Sequence, residues 1–263
     1  MIKLKIKNFG PIINGYENLR TDDFFDVFKC SVFIGEQGTG KSTIAKLIST
    51  LLWLEKDIVQ KRRDFTQFKT EDFIKLCKNQ KINGYFKTET YICYQSDIFD
   101  FEYKESKFSI TQKNDLSKYN GKKIMYIPSE RNLISVLDDV DEISGLPYTL
   151  QSTYEEFIKA SKKLGEKKKK LPLNGFEYSY NKAINTGFIE DINNNSIVKL
   201  SASSSGLQSF APLFLISDYL SKSVTEDFFD KIANFSSKEK EYAKELIKSH
   251  FPELFEDKAE QVL

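Results

Sequence analysis

The sequence predicts an α/β fold organised around a strand–loop–helix unit, and three observations carry that expectation. A short apolar run, Cys30 to Ile34, leads through glycines into an amphipathic segment, which is the order strand, loop, helix. The loop itself, Gly35 to Ser42, reads G-E-Q-G-T-G-K-S. Between Tyr85 and Lys113 the text changes to aromatic and branched residues, TYICY, DFEY and KFSIT, broken by turn residues. That composition predicts several short strands.

In chain order, Ile2, Leu4 and Ile6 alternate with Lys3, Lys5 and Lys7, the period of a strand with one buried face. Asn8 to Pro11 reads as a turn, and an extended piece near Tyr16 to Leu19 is placed to pair with the first strand. Cys30 to Ile34 reads as a strand buried on both faces. Ile44, Leu47, Ile48, Leu51, Leu52 and Glu55 fall at helical spacing. Lys61 to Gln80 predicts one or two surface helices around Phe65, Phe68, Phe73 and Leu76. Lys122 to Pro128 is a second buried-strand candidate. Thr153 to Lys170 is helical, with Tyr154, Phe157, Ile158 and Leu164 inward and Pro172 as its stop. GFIEDI and SIVKL flank Asn193 to Asn195, which tolerate left-handed backbone and predict a hairpin turn. LSASSSGLQSFAPLFLISDYL opens with small polar residues and continues as an apolar helix, and Ser237 to His250 has helical patterning in a charged tail.

Composition narrows the function classes. A chain of 263 residues is one large domain or two small ones, and 40% hydrophobic residues exclude a disordered chain. The 39 basic and 38 acidic residues nearly cancel, which disfavours binding a polyanion over the whole surface. Lys162, Lys163 and Lys167 to Lys170 form the one dense basic cluster; a solvated helix face is the simpler reading, a nucleic-acid or partner contact the other. Cys30, Cys77 and Cys93 with the single His250 make neither a disulfide framework nor a structural zinc site. The N-terminus lacks the apolar core of a signal peptide, and no apolar stretch approaches the ~18 residues of a membrane span, so the expectation is a cytoplasmic protein.

Each position of the loop has a chemical reason. A nucleoside triphosphate is a dense anion that needs many N–H donors pointing inward. Gly35, Gly38 and Gly40 let the backbone approach it, with Glu36, Gln37 and Thr39 contributing backbone to the same wrap. The helix start after Gly40 adds unpaired N–H groups and partial positive charge. Lys41 reaches the β- and γ-phosphates, Ser42 supplies a hydroxyl to Mg²⁺, and Thr43 adds a hydrogen bond to the α-phosphate. Average residue usage gives this string by chance in roughly one chain of this length in a hundred.

A second motif, Ser203 to Gln208, reads S-S-S-G-L-Q. Alone it is a helix cap, with Ser204 or Ser205 as the capping residue. It also resembles the LSGGQ signature of ABC-type ATPases: Ser205, Gly206 and Gln208 match, and Leu207 departs at the second glycine. With KIKNFGPI, VFIGEQGTGKSTIAKLIS, MYIPSERN and ASSSGLQSFAPLFLISDYL, the chain resembles the RecF/OLD-type branch of ABC ATPases. These are AAA-family ATP-binding proteins common in bacterial defence loci, and the resemblance covers most of residues 1–220.

That resemblance implies a P-loop NTPase fold of the ABC-head type, with an antiparallel lobe, a parallel core sheet and a helical signature lobe. It implies a nucleotide-binding lobe over 1–128, a helical lobe with a hairpin and the signature over 129–220, and a charged helical tail over 221–263. It implies ATP and Mg²⁺ as ligands. ATP would be sandwiched in a homodimer between the loop of one head and Ser204, Ser205, Gly206 and Gln208 of the other. An effector protein such as a nuclease would be a further partner, in anti-phage defence or DNA maintenance. The place of the Q-loop falls at Pro128 to Arg131, where no glutamine stands; Glu130 or Arg131 takes that role, or the two form a structural pair. Phe9 is placed to contact adenine or, more simply, to fill the core.

One part of the pattern is missing. The only string shaped like a Walker B strand is Leu213 to Asp218, which lies inside the expected signature helix and reads better as helix interior with Asp218 facing solvent. His250 sits in the charged tail and reads as a surface residue, not a switch histidine. The chain is therefore expected to be the N-terminal portion of a longer ATPase, a truncated product or one half of a split one. A non-catalytic regulatory or scaffold module that binds ATP is the alternative. A transporter ATPase subunit fits less well, because the Q-loop glutamine and a close signature are absent. A P-loop kinase would need no signature at all.

Overall fold

The computed structural model describes residues 2–15, 23–116, 119, 123–136 and 145–233, with side chains through 222. The chain forms two compact units, Met1–Glu130 with Asp139–Tyr154, and Arg131–Asp138 with Glu155–Leu263.

The first unit is built on a six-stranded sheet. Strand β1 (Ile2–Phe9) pairs with β2 (Ile12–Asn14) and β3 (Phe25–Val27) along one edge. Its other edge pairs with β4 (Phe86–Gln95), which continues to β5 (Phe99–Lys104) and β6 (Lys107–Gln112). The register sets Leu4 opposite Tyr94 and Tyr94 opposite Phe101, so large side chains line one face. Lys3, Lys5 and Lys7 alternate onto the other, as the period of β1 requires.

Two helices follow the sequence periodicity. Helix α1 (Lys41–Val59) places Leu47, Leu51, Leu54 and Ile58 in the same core as the buried sheet face. At roughly 1.5–3 kcal/mol for each side chain removed from water, those four residues hold the helix in place. Helix α2 (Thr70–Asn79) adds Phe73, stacked on Phe108 with ring centroids 4.1 Å apart. Glu55, on the apolar spacing of α1, is also buried. Its carboxylate accepts hydrogen bonds from Tyr94 Oη at 2.5 Å and Ser96 Oγ at 2.6 Å, which offset the loss of water. Burial, and then the Glu55 carboxylate, pushes the Tyr94 hydroxyl far above the ordinary phenol range.

The second unit holds a four-stranded meander: β7 (Lys169–Lys170), β8 (Phe176–Asn181), β9 (Thr186–Asp191) and β10 (Ser196–Lys199). The asparagine turn joins β9 to β10, with Asn195 in the left-handed region at φ 50°. Helix α3 (Tyr148–Leu164) contributes Phe157 and Ser161 to this unit, and the Ser161 and Tyr178 hydroxyls are hydrogen-bonded at 2.8 Å. The stop of α3 is Gly165, at φ 65°, and not Pro172: a left-handed glycine ends the helix before proline is reached. Helix α4 (Ser205–Ala233) continues past Leu213 to Asp218, with Pro212 inside it.

Two expected strands do not form. Cys30 to Ile34 forms no strand, and Val32 and Ile34 are 79% and 92% exposed rather than buried. Residues 123–128 likewise form no strand. Strand propensity becomes a strand only where a neighbour supplies N–H and C=O groups, and no described strand pairs with either segment. Every strand pairing among the described residues is antiparallel, so the fold is mixed α/β and the parallel core is not among them. The expected elements at Tyr16 to Leu19 and Ser237 to His250, and Lys122, lie outside the described residues.

Candidate functional site

Gly35 to Thr39 forms an exposed loop that runs through Gly40 into α1. Gly38 and Gly40 have φ of 85° and 99°, backbone that L side chains rarely adopt. At Gly38 an added Cβ would meet nothing within 4 Å, so the constraint there is the dihedral alone. Gly40 is buried as well, and a Cβ would fall 2.6 Å from Ile12 Cγ1. The β1–β2 turn therefore seats directly on the start of α1.

That helix start is bare. Gly40 offers no side-chain cap, and the first turn of α1 carries no acidic residue. The first helical bond runs from Ile44 N–H to Gly40 C=O at 2.9 Å. The N–H groups of Lys41, Ser42 and Thr43 consequently have no acceptor inside the helix, and the helix dipole adds partial positive charge at the same end. Lys41 Nζ folds back over the loop and donates to Gly35 C=O at 2.7 Å and Glu36 C=O. Thr39 Oγ1 donates to Glu36 C=O at 2.9 Å. Ser42 is exposed, whereas Thr43 is buried in the first turn. Glu36, Gln37 and Gly38 are exposed. An ammonium, amide donors and an exposed hydroxyl thus converge on one end of a helix. This set suits a polyanion carrying a hard cation, with Ser42 as the hydroxyl ligand.

The start of α4 is arranged differently. Ser204, Ser205 and Gly206 are exposed. Ser204 Oγ accepts from Leu207 N–H at 3.4 Å, and Ser204 C=O accepts the first helical bond from Gln208 N–H. The Gln208 side-chain amide donates to Ser201 C=O at 2.8 Å and Ser203 C=O at 3.0 Å. Gln208 therefore clamps the turn that precedes its own helix. A short 3-10 segment, Ser129–Ser135, supplies two further donors: Ser135 Oγ to Gln208 C=O at 2.6 Å and Arg131 Nε to Ser209 C=O at 3.1 Å. Ser135 belongs to no motif in the sequence. Its signal was present in Pro212, which breaks a helical bond within α4.

The remaining candidates separate by environment. Glu130 is exposed; its own backbone N–H, and then the Ser129 hydroxyl at 2.9 Å, hold its carboxyl below the usual range. Lys46 of α1 stands 5.8 Å from the centre of the Tyr126 ring. Phe9 is fully buried, edge-on to Tyr85 and Phe86, and belongs to the core. Leu213 to Asp218 lies within α4. Asp218 is half-buried and pairs with Lys169 at 2.8 Å and Lys222 at 3.0 Å. Burial opposes its ionisation, but the two ammonium groups win and keep its carboxyl below the ordinary value. In the basic cluster, Lys168 pairs with Glu190, and Lys163 lies over the Tyr219 ring. His250 lies outside the described residues. Cys77 and Cys93 are buried, and burial pushes the Cys77 thiol up to about 12. Among the described residues no His, Cys, Asp or Glu cluster could hold a metal, and no helix is long and apolar enough to cross a membrane.

A family model described as an AAA ATPase domain matches residues 1–263. No curated protein and no solved structure gives a significant match.

Proposed function

The chain belongs to the AAA ATPase domain family of ATP-binding ATPases, and on that premise we propose that it is a nucleotide-gated head of the RecF/OLD kind. Gly35 to Thr43 takes ATP, with Mg²⁺ on Ser42. The observation that carries this reading is the bare start of α1 beneath a left-handed glycine loop, with Lys41 held by the neutral carbonyls of Gly35 and Glu36. An ammonium in that position exchanges backbone dipoles for phosphate charge with little reorganisation. Bound Mg²⁺ would neutralise the β- and γ-phosphates.

Ser204, Ser205 and Gly206 act in trans on the nucleotide of a second head. Their exposure supports this, since an exposed helix start is available to a γ-phosphate arriving across an interface. ATP then holds two heads together and hydrolysis releases them, a cytoplasmic switch suited to anti-phage defence or DNA maintenance with an effector such as a nuclease. Of the two Q-loop candidates, Glu130 would be the nucleotide sensor, because Arg131 Nε donates to Ser209 C=O. Calorimetry with ATP and Mg²⁺ tests the first part: binding by the wild type, severely weakened in Lys41→Ala, is expected, and equal affinity in the two would overturn it. Ser205→Arg tests the second. It should abolish ATP-dependent association in sedimentation runs while sparing ATP binding.

One observation favours a second reading, a non-catalytic ATP-binding module that holds a partner. Asp218 is the only acid in a Walker B-like string, and it is committed to Lys169 and Lys222. ATP binding without turnover in the purified chain would select that reading.

A further inference from the structure

We propose that Pro212 creates a vacant acceptor at the start of α4, and that Ser135, with Arg131 beside it, fills it. The segment 131–135 is then a strap that positions Ser204 to Gln208. In an uninterrupted helix the N–H of residue 212 would bond the carbonyl of Gln208. Proline has no N–H, and its ring pushes that carbonyl outward. The Gln208 oxygen is the atom that Ser135 Oγ reaches, at 2.6 Å, and Arg131 Nε takes the next carbonyl, Ser209, at 3.1 Å. Ser135 and Pro212 are both buried, and the Gln208 carbonyl between them is partly buried.

Gln208 is thereby held twice, its amide on Ser201 and Ser203 and its carbonyl by Ser135. The exposed Ser204 to Gly206 lies between the turn that this amide grips and the carbonyl that the strap grips. Moving 131–135 would therefore move the presentation of Ser204 to Gly206. Arg131 follows Glu130 directly, so the strap leaves the first unit at the residue proposed to sense nucleotide. Ser135 and Arg131 are positioning residues in this scheme and touch no phosphate. The strap rests on geometry, and its purpose rests on the trans role of Ser204 to Gly206 proposed above.

The test is a double-mutant cycle on the full chain: wild type, Ser135→Ala, Pro212→Ala and the double variant, read by amide hydrogen exchange in the first turns of α4. Ser135→Ala should speed exchange there about fivefold, the effect of losing one hydrogen bond, and leave α1 unchanged. In the Pro212→Ala background a helical N–H satisfies Gln208, so adding Ser135→Ala should change exchange less than twofold. Equal effects in both backgrounds, or none in either, would overturn the strap. If Ser135→Ala fails to fold, Ser135→Thr keeps the hydroxyl and should exchange as the wild type does; fast exchange in that variant would also overturn it.

A second readout is ATP-dependent association. Ser135→Ala should weaken it severalfold while ATP affinity stays within twofold. Unchanged association in a variant whose α4 exchange has risen would overturn the positioning role. A wild type that binds ATP but never associates would instead overturn the trans reading, and the exchange cycle would still decide the strap.

Discussion

Two helices in this chain begin in runs of small residues, and they reach opposite states. The start of α1 follows glycines and has no cap, leaving its first N–H groups without helical acceptors. The start of α4 follows serines and is held by its own chain, through Ser204, the Gln208 amide and the strap from Ser135 and Arg131. The difference lies in the side chains. Glycine brings no oxygen to a helix start, so the donors remain for a ligand, whereas serine supplies a cap. An anion site complete within one chain is thus expected at α1, and at α4 only a rigid exposed tip to be offered elsewhere.

The largest expected effect tests that asymmetry. Lys41→Ala should weaken ATP–Mg²⁺ binding about 100-fold, as for the loss of charge-assisted bonds worth about 3 kcal/mol. Gln208→Ala should change it less than twofold in the isolated chain. Calorimetry giving the two variants similar losses would break the comparison.

Next come the loop glycines. Gly40→Ala meets both a forbidden dihedral and Ile12, and should cost about 2–4 kcal/mol in thermal or urea unfolding. Gly38→Ala meets the dihedral alone and should cost about 1–2 kcal/mol. The reverse order would show that the Ile12 contact does not fix the start of α1.

Smaller effects belong to α4. Ser204→Ala should cost about 0.5 kcal/mol, the low end for a cap, because its bond to Leu207 is long. The Asp218 pairing should contribute about 0.2–1 kcal/mol. Its folded-state pKa is depressed, so the contribution is present above the unfolded carboxylate range and lost as pH falls through the folded value. Unfolding of wild type and Asp218→Asn should therefore differ at neutral pH and converge in acid. A difference that grew in acid would contradict the pairing, and a fall in ATP turnover in Asp218→Asn would give that carboxylate a catalytic role.

Much of the fold was legible because its signals are local. The alternation in Ile2 to Lys7, the helical spacing from Ile44 to Glu55 and the asparagine turn after β9 depend on residues a few places apart, and each element formed where its pattern lies. The geometry of the glycine loop is local for the same reason: its dihedrals, its bare helix start and the fold-back of Lys41 all involve residues within Gly35 to Ile44.

Other features needed a partner that sequence order does not name. Val32, Phe33 and Ile34 carry as much strand propensity as Tyr91, Ile92 and Cys93. The latter became a strand because β1 and β5 lie on either side, and the former found no described strand to pair with. Glu55 was readable as a position on a helix face, but only Tyr94 and Ser96 made its burial tenable. Pro212 announces from sequence alone that the Gln208 carbonyl lacks a helical donor, yet the hydroxyl that supplies one stands 73 residues away. Sequence by itself determined the helix periods and the left-handed glycines of the loop, because these are set by steric and hydrogen-bonding terms between near neighbours. Tertiary structure decided which extended segments pair and which buried polar groups are satisfied, because those terms act between groups brought together only when the chain folds.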